Sequence, residues 1–401
     1  MTTTATRYEA VIGLEVHSQL LTESKMFCPC SAAYAHSPPN SHVCPICMGM
    51  PGVLPVINRK AVEYTVMTGL ALNCTIPPRA KFDRKNYPYP DLMKGYQISQ
   101  YDMPLCVDGY LDIDLEGATR RVGVTRVHLE EDTARLLHRS DNGDSYSLLD
   151  INRSGVPLME IVSEPDMRSP EEARAYFMAL RQTLQYLGVS AGNMEEGNLR
   201  ADANISLRPA GSDAFGAKVE LKNINSFRFV VRALEYEVER QTQALDEGQT
   251  IVQETRGWDE NKNRTVSQRS KEYAHDYRYF PEPDLPPLEL TAEFVDSIRA
   301  QLPELPHDRR QRFEQEYGLP DHEAGLLTEN RATADYFEAA VRSGKPADTP
   351  ARAHAVANWM LGDFAHDLAG KPYGESQIEP AQLAALTDLA DSGQITSKIA
   401  K

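Results

Sequence analysis

A strand whose side chains alternate between two chemistries admits one disposition: one row in a core, the other outside it. From Leu199 to Leu207 this chain alternates without a break. Leu199, Ala201, Ala203, Ile205 and Leu207 fall on one face, and Arg200, Asp202, Asn204, Ser206 and Arg208 on the other. That period of two marks a half-buried strand. The stretch from Pro209 to Asp213 has turn chemistry. A second strand then turns Val219 and Leu221 inward and Lys218, Glu220 and Lys222 outward. The two form a hairpin with neighbouring polar rows.

Two earlier segments repeat the pattern. In VIGLEVHSQL, Ile12, Leu14 and Val16 oppose Glu15, His17 and Gln19; in VGVTRVHLEED, Val127 and Leu129 oppose Arg126, His128 and Glu130. A single polar strand face usually just meets water, since antiparallel sheets often have one wet side. Several faces mixing carboxylates, imidazoles, an amide and cations suit a metal–phosphate group. Carboxylates would hold the metal and Lys or Arg the phosphates. Ion pairs within a sheet would look the same from sequence.

With 401 residues the chain is too long for one ordinary core, so two or three domains are expected. It has no apolar run long enough to span a membrane and no signal or transit character in MTTTATRYEAVIG, so the expected location is the cytoplasm. A net charge of -16 argues against a surface coated for nucleic acid, without excluding a local basic groove.

Cysteines cluster in CPCSAAYAHSPPNSHVCPIC. Cys28 and Cys30 form a CxC pair, and Cys44 and Cys47 a CxxC knuckle. That spacing suits a closed, structural tetrahedral zinc site, with His36 or His42 able to replace one thiol. A redox pair or a disulfide is the rival, and a cytosolic setting disfavours the disulfide. Cys74 and Cys106 stand apart and read as ordinary buried residues.

Asn58 caps a first expected helix and Ser169-Pro170-Glu171-Glu172 opens a second, which Gly188 stops. Ser226 caps a third that runs to Gly248. The segment KFDRKNYPYPDLMKGYQISQYDMP is too rich in proline to be a helix and mixes cations with aromatic rings. Such loops suit phosphates or bases, or are simply packed surface. Residues 105–163 read as short strands with turns. The segment from Glu254 to Pro287, with Arg269, Lys271 and Tyr273 among its cations and rings, reads as a strand–loop–strand closing the sheet. From about Thr291 helical stripes dominate. The chain stops at TSKIAK, in what reads as a helix start, so a continuation is expected.

The segments VIGLEVHSQL, PGVLPV, KFDRKNYPYPD, KGYQISQYD, HLEEDTARL, DINRSGVPLMEIVSEPD, MEEGNLRADANISLRP, ELKNINSF and DYRYFPEPDLPP cover nearly the whole chain. Through them it resembles the B subunits of the aspartyl/glutamyl-tRNA amidotransferases, the GatB family. Met93, Thr133 and Arg135 depart from the family's pattern and leave Glu130 intact. The resemblance implies an α+β fold: a glutamine synthetase-like antiparallel-sheet cradle followed by an all-helical domain. The expected bounds are 1–290 for the cradle, with the zinc knuckle at 28–47, and 291–401 for the helical domain, the family's C-terminal tail domain being absent. It implies ATP-dependent conversion of Glu-tRNA(Gln) to Gln-tRNA(Gln), or of Asp-tRNA(Asn) to Asn-tRNA(Asn). The implied partners are the family's amidase (A) subunit, its small (C) subunit, the misacylated tRNA and an aminoacyl-tRNA synthetase.

The residues agree with such chemistry. A carboxylate resists ammonia because its leaving group would be an oxide; phosphorylation by ATP and Mg²⁺ supplies a better one. Glu15, His17, Glu130 and Glu220 are the expected Mg²⁺ ligands, and Cys28, Cys30, Cys44 and Cys47 the zinc ligands. Arg153, Arg200, Asp202, Asn204, Lys218 and Lys222 are the expected catalytic groups, with Arg84 and Lys85 on the nucleotide. No GxxxxGK[ST] loop or amidase signature occurs, so ammonia should come from another subunit. A zinc-stabilised RNA scaffold without catalysis, or a free-standing ligase acting on a small acid, remain the alternatives.

Overall fold

The computed structural model describes residues 7–115, 117–141, 144–268, 277–343 and 349–400. Arg269, Lys271 and Tyr273 lie outside the described residues. The chain divides into two compact units, Met1–Leu302 and Pro303–Lys401.

The first unit is built on strands. They are β1 (Tyr8–Gln19), β2 (Arg79–Ala80), β3 (Asp83–Asn86), β4 (Tyr96–Ser99), β5 (Cys106–Leu115), β6 (Ala118–Glu131), β7 (Arg135–Asp141) and β8 (Asp144–Asp150). Then follow β9 (Pro157–Ser163), β10 (Leu199–Pro209), β11 (Val219–Ile224), β12 (Glu254–Asp259), β13 (Arg264–Ser267), β14 (Phe280–Pro281) and β15 (Leu288–Glu289). An eight-stranded sheet runs in the order β13-β12-β11-β10-β1-β9-β6-β5. Its pairs are antiparallel except β11 with β12.

Helices α1 (Arg59–Ala71), α2 (Pro170–Tyr186), α3 (Phe227–Asp246) and α4 (Ala292–Arg299) complete this unit. Asn58 Oδ1 accepts from the amides of Lys60 and Ala61, and Ser169 and Ser226 each accept one amide at the starts of α2 and α3. The inward row of the alternating strands is dry: Ile12, Leu14, Val16, Ala201, Ala203 and Ile205 are all buried. Helices α2 and α3 pack on each other and on this side of the sheet, contributing Tyr176, Phe177, Leu180, Val230 and Leu234 to the core. Each fully buried Leu or Phe contributes roughly 1.5–3 kcal/mol. The core thus fixes the register, and with it which side chains stand on the opposite face.

Around that opposite face lie smaller sheets. Strands β14, β3 and β4 form one three-stranded sheet, with β4 packed against β6. Strands β7 and β8, which the sequence places in the run of sheet strands, instead form a separate ribbon. Their residues are largely exposed, so no core pins them to the main sheet.

The second unit is helical: α5 (Pro306–Tyr317), α6 (Asp321–Leu327), α7 (Arg331–Ser343), α8 (Thr349–Trp359), α9 (Ala365–Leu368), α10 (Pro380–Asp391) and α11 (Ser397–Ala400). Phe313, Tyr317, Phe337, Val356, Met360 and Leu383 share its core. After α8 comes a π-helical turn at Met360–Phe364, where Gly362 leaves helical geometry. No described helix is long and apolar enough to cross a membrane.

Candidate active site

The registers place the outward rows in contact. Across β10, β1 and β9, Arg200 pairs with His17 and His17 with Glu160; from β9 to β6, Glu160 pairs with His128. One row up, Glu15 pairs with Asp202. Gly13 faces Asn204, which faces Glu220 on β11.

At the centre, His17, Glu130 and Glu160 each offer a ligand atom, and these atoms lie within 4.8 Å of one another. His17 Nε2 is 3.2 Å from Glu160 and 4.0 Å from Glu130. His128 Nε2 is 3.6 Å from Glu160 and 3.9 Å from Glu130. Burial pushes the His17 pKa down, but the hydrogen bond to Glu160 and the charges of Glu160, Glu130 and Asp202 outweigh it and lift it to about 9. His128, buried and facing Arg126, His17 and Lys85, falls to about 4. Glu130 is pushed up by burial and by the charge of Glu160. Glu160 is held well below the usual carboxylate range, against burial, by the two imidazoles and Lys85. Two buried carboxylates that their mutual charge and the neighbouring cationic groups drive apart in acidity, sharing an imidazole, form a set that a divalent cation would relieve. A bound cation would replace the proton on His17 and neutralise both acids. The residues fit such an ion, and three donors leave positions for a substrate's oxygens.

Glu160 escaped the sequence reading. Its strand, PLMEIVS, is buried along nearly its whole length and shows no alternation. The available signal was the carboxylate itself, since a lone acid in an apolar strand must be paired.

The other expected metal ligands stand nearby but apart. Glu15 accepts from Asn204 Nδ2 at 3.0 Å. Glu220 accepts from Thr255 at 2.8 Å and lies 3.6 Å from Lys222. Lys222 Nζ donates to Asp202 at 2.9 Å. Of these groups, Glu15 and Asn204 border a cavity of about 340 Å³ whose wall also includes Gly13, Phe215, Gly216 and Lys218. Asn204 Oδ1 is buried there without a hydrogen-bond partner, and Phe215 is 67% exposed. A Cβ on Gly216 would lie 2.2 Å from the carbonyl oxygen of Leu207, so only glycine permits this close approach of the loop before β11 to β10.

Arg153 and Arg200 converge on a second acid absent from the expected set. Arg200 lies 3.3 Å from Asp132 and Arg153 3.6 Å from it, while Gln19 donates to Asp132 at 2.7 Å. Arg153 also donates to the carbonyls of Thr133 and Ala134, both at 2.9 Å. Burial raises the Asp132 pKa, but the two guanidiniums and Gln19 outweigh it and hold the group ionised.

The two expected nucleotide cations separate. Lys85 sits where Glu130 and Glu160 stabilise its charge against the cost of burial. Arg84, its neighbour in β3, points elsewhere: Nε and Nη2 grip Glu282 at 2.6 and 2.7 Å, and the guanidinium lies 4.3 Å over the Tyr96 ring. Adjacent strand residues face opposite sides, so both could not serve one site.

The four knuckle sulfurs also lie within 4.8 Å of one another. Cys44 and Cys47 Sγ are 3.9 Å apart, near the edge of about 3.8 Å that a tetrahedral thiolate site requires. The hydrogen bond from Cys28 lowers the Cys47 pKa to about 4, against burial, with help from Lys25. These thiols fit a soft divalent ion.

Comparison with known proteins bears on the whole chain. Residues 10–296 match the family model described as GatB/GatE catalytic domain, and residues 335–401 that described as GatB domain. The chain is 59% identical over 403 residues to the B subunit of the aspartyl/glutamyl-tRNA(Asn/Gln) amidotransferase of Dehalococcoides mccartyi, covering 99% of this chain and 82% of the relative. It is 60% identical over 396 residues to the protein of that name from Thermomicrobium roseum, covering 98% and 81%. The one from Roseiflexus castenholzii is 56% identical over 400 residues, covering 98% and 81%. With its polar sheet face inside the matched catalytic segment, the chain belongs to the GatB family of amidotransferase B subunits.

Proposed function

We propose that this chain uses ATP to phosphorylate the side-chain carboxylate of glutamate or aspartate misacylated on tRNA(Gln) or tRNA(Asn), and then amidates it. The observation that carries this reading is the convergence of His17, Glu130 and Glu160 on one sheet face, with Lys85 brought to Glu130 and Glu160 by β3 of the smaller sheet. The name its relatives share supports it.

The chemistry balances in two steps. A carboxylate oxygen attacks the terminal phosphorus of ATP, ADP leaves, and an acyl phosphate forms. Ammonia then attacks the acyl carbon, phosphate departs and a proton is released. His17, Glu130 and Glu160 would hold Mg²⁺, which supplies charge neutralisation on the phosphates. Lys85 stabilises negative charge on the transferring group, and Asp132 orients Arg153 and Arg200 beside it. The cavity beside Glu15 suits the nucleoside end of ATP. Phe215 offers a ring face there, the bare Asn204 Oδ1 an acceptor, and Lys218 a phosphate contact. The polar face would then be the floor of a glutamine synthetase-like cradle, with the helical domain following it in the chain.

The cysteines would hold a structural Zn²⁺; metal analysis that finds no zinc in the purified chain would remove this part. Ammonia would come from the amidase (A) subunit, with the small (C) subunit completing the assembly, because an acyl phosphate must be shielded from water. Glu160→Gln tests the central reading. It keeps the size of a ligand and removes its charge. It should lower tRNA-dependent ATP turnover at least about 100-fold while the protein stays folded. Turnover within a few-fold of the parent would reject the cluster as the site.

A further inference from the structure

The cation–aromatic loop contains more rings than phosphate chemistry uses. Tyr101 and Tyr279 stack with centroids 4.3 Å apart and planes 9° apart. Tyr279 meets Tyr277 edge-on at 6.1 Å, and Tyr277 meets Tyr87 at 5.8 Å. Lys85 Nζ lies 5.0 Å from the centre of the Tyr277 ring and 5.8 Å from that of Tyr87. The rings therefore lead outward from the lysine that faces Glu130 and Glu160.

Their backbones are fixed. The Tyr101 amide donates to Asp83 Oδ2 at 3.0 Å, and Asp83 is buried and paired with Lys81. Asn86 Nδ2 donates to the carbonyls of Tyr277 and Arg278 at 3.2 and 2.9 Å, and Arg278 takes a left-handed φ of 46°. With one ring face against Tyr279, Tyr101 is still 51% exposed. A lone exposed tyrosine is ordinary. A rigid stack backed by two further rings and a cation is a surface prepared for a flat π system.

We propose that Tyr101, backed by Tyr279, is the platform on which the 3′-terminal base of the aminoacyl-tRNA stacks, placing the ester-linked amino acid against His17, Glu130 and Glu160. This rests on the proposed reaction, which needs that carboxylate at the acid cluster and so puts the terminal nucleoside close by. The same adenine chemistry could come from ATP, but position separates the two. The cavity suited to the nucleotide lies at the Gly13–Asn204 end of β1 and β10. The rings approach from the β4–β6 side, where Ser99 on β4 donates to Glu130 at 3.1 Å. The two nucleosides thus flank the cluster.

The test uses acceptor-stem minihelices that end in adenosine or in an abasic nucleotide, with binding read by fluorescence anisotropy. Stacking a base on an aromatic ring strengthens binding about 5- to 150-fold. The wild-type chain should therefore prefer the adenosine-ended helix about tenfold or more. Tyr101→Ala should erase that preference, Tyr101→Phe should keep it, and the KM for ATP should not move in either. A wild type without the preference, an undiminished preference in Tyr101→Ala, or a raised KM for ATP instead would each overturn the platform. Binding needs no turnover. A chain that reads the terminal base but activates no carboxylate would sink the proposed reaction and leave the platform standing.

Discussion

Arg84 and Lys85 differ by one step along β3, and that step decides their chemistry. Arg84 closes a bidentate pair on Glu282, whose side chain is wholly buried. Removing one partner of such a pair strands a buried charge, at a cost of about 3–5 kcal/mol. Arg84→Ala should therefore lower the urea midpoint sharply. Lys85→Met keeps the stem and removes a charge that faces Glu130 and Glu160. It should lower the midpoint less than Arg84→Ala does, because Glu160 keeps its two imidazoles, and cost about 100-fold in kcat. Equal loss of stability in the two variants would refute the division. The sequence offered both cations as equals because RK carries no record of which side the neighbouring strand closes. Glu160 was hidden for a related reason: strand β9 is covered on both faces, so its one acid breaks no visible pattern.

At the scale of elements, caps and alternation were legible and partners were not. Asn58, Ser169 and Ser226 start helices as their side-chain chemistry dictates. The dry rows of β1 and β10 follow from period two alone, while in β6 a bulge between Val124 and Arg126 shifts the row from Val122 and Val124 to Val127 and Leu129. The parallel pairing of β11 with β12 could not be read, because it depends on where α3 returns the chain. Helix α3 fixes that return with a buried acid. Glu237 accepts from Arg240 at 2.9 and 2.7 Å, from Gln241 at 3.0 Å and from Thr265 at 2.5 Å, with Arg256 3.1 Å away. Burial raises its pKa, but these hydrogen bonds and charges outweigh that and lower it. A depressed carboxylate contributes stability that is fully present above its unfolded pKa, about 4.3, and is lost as pH falls through the folded value. Glu237→Gln should thus be less stable than the parent at pH 7, with the difference shrinking below about pH 4.3. A difference independent of pH down to acid unfolding would mean that the charge is not what holds β12 and β13 to the helix.

For the whole molecule, the sheet supplies what a motif scan could not. No single stretch holds the site; β1, β6 and β9 contribute His17, Glu130 and Glu160, whose register the core on the far face sets, and β3 of the smaller sheet brings Lys85 to them. What the molecule does with its partners was legible only through the resemblance, because partner surfaces leave no period in a sequence.

The central claim is that this chain itself makes the acyl phosphate. Glutamate carrying ¹⁸O in its side-chain carboxylate, esterified to tRNA(Gln), tests it most directly. The chain is supplied with ATP, Mg²⁺ and ammonium, without an amidase, and the released phosphate is analysed by mass. Transfer through an acyl phosphate moves one carboxylate oxygen to phosphorus, so the account predicts one ¹⁸O in phosphate for each amide formed. Amide formed with unlabelled phosphate would contradict it.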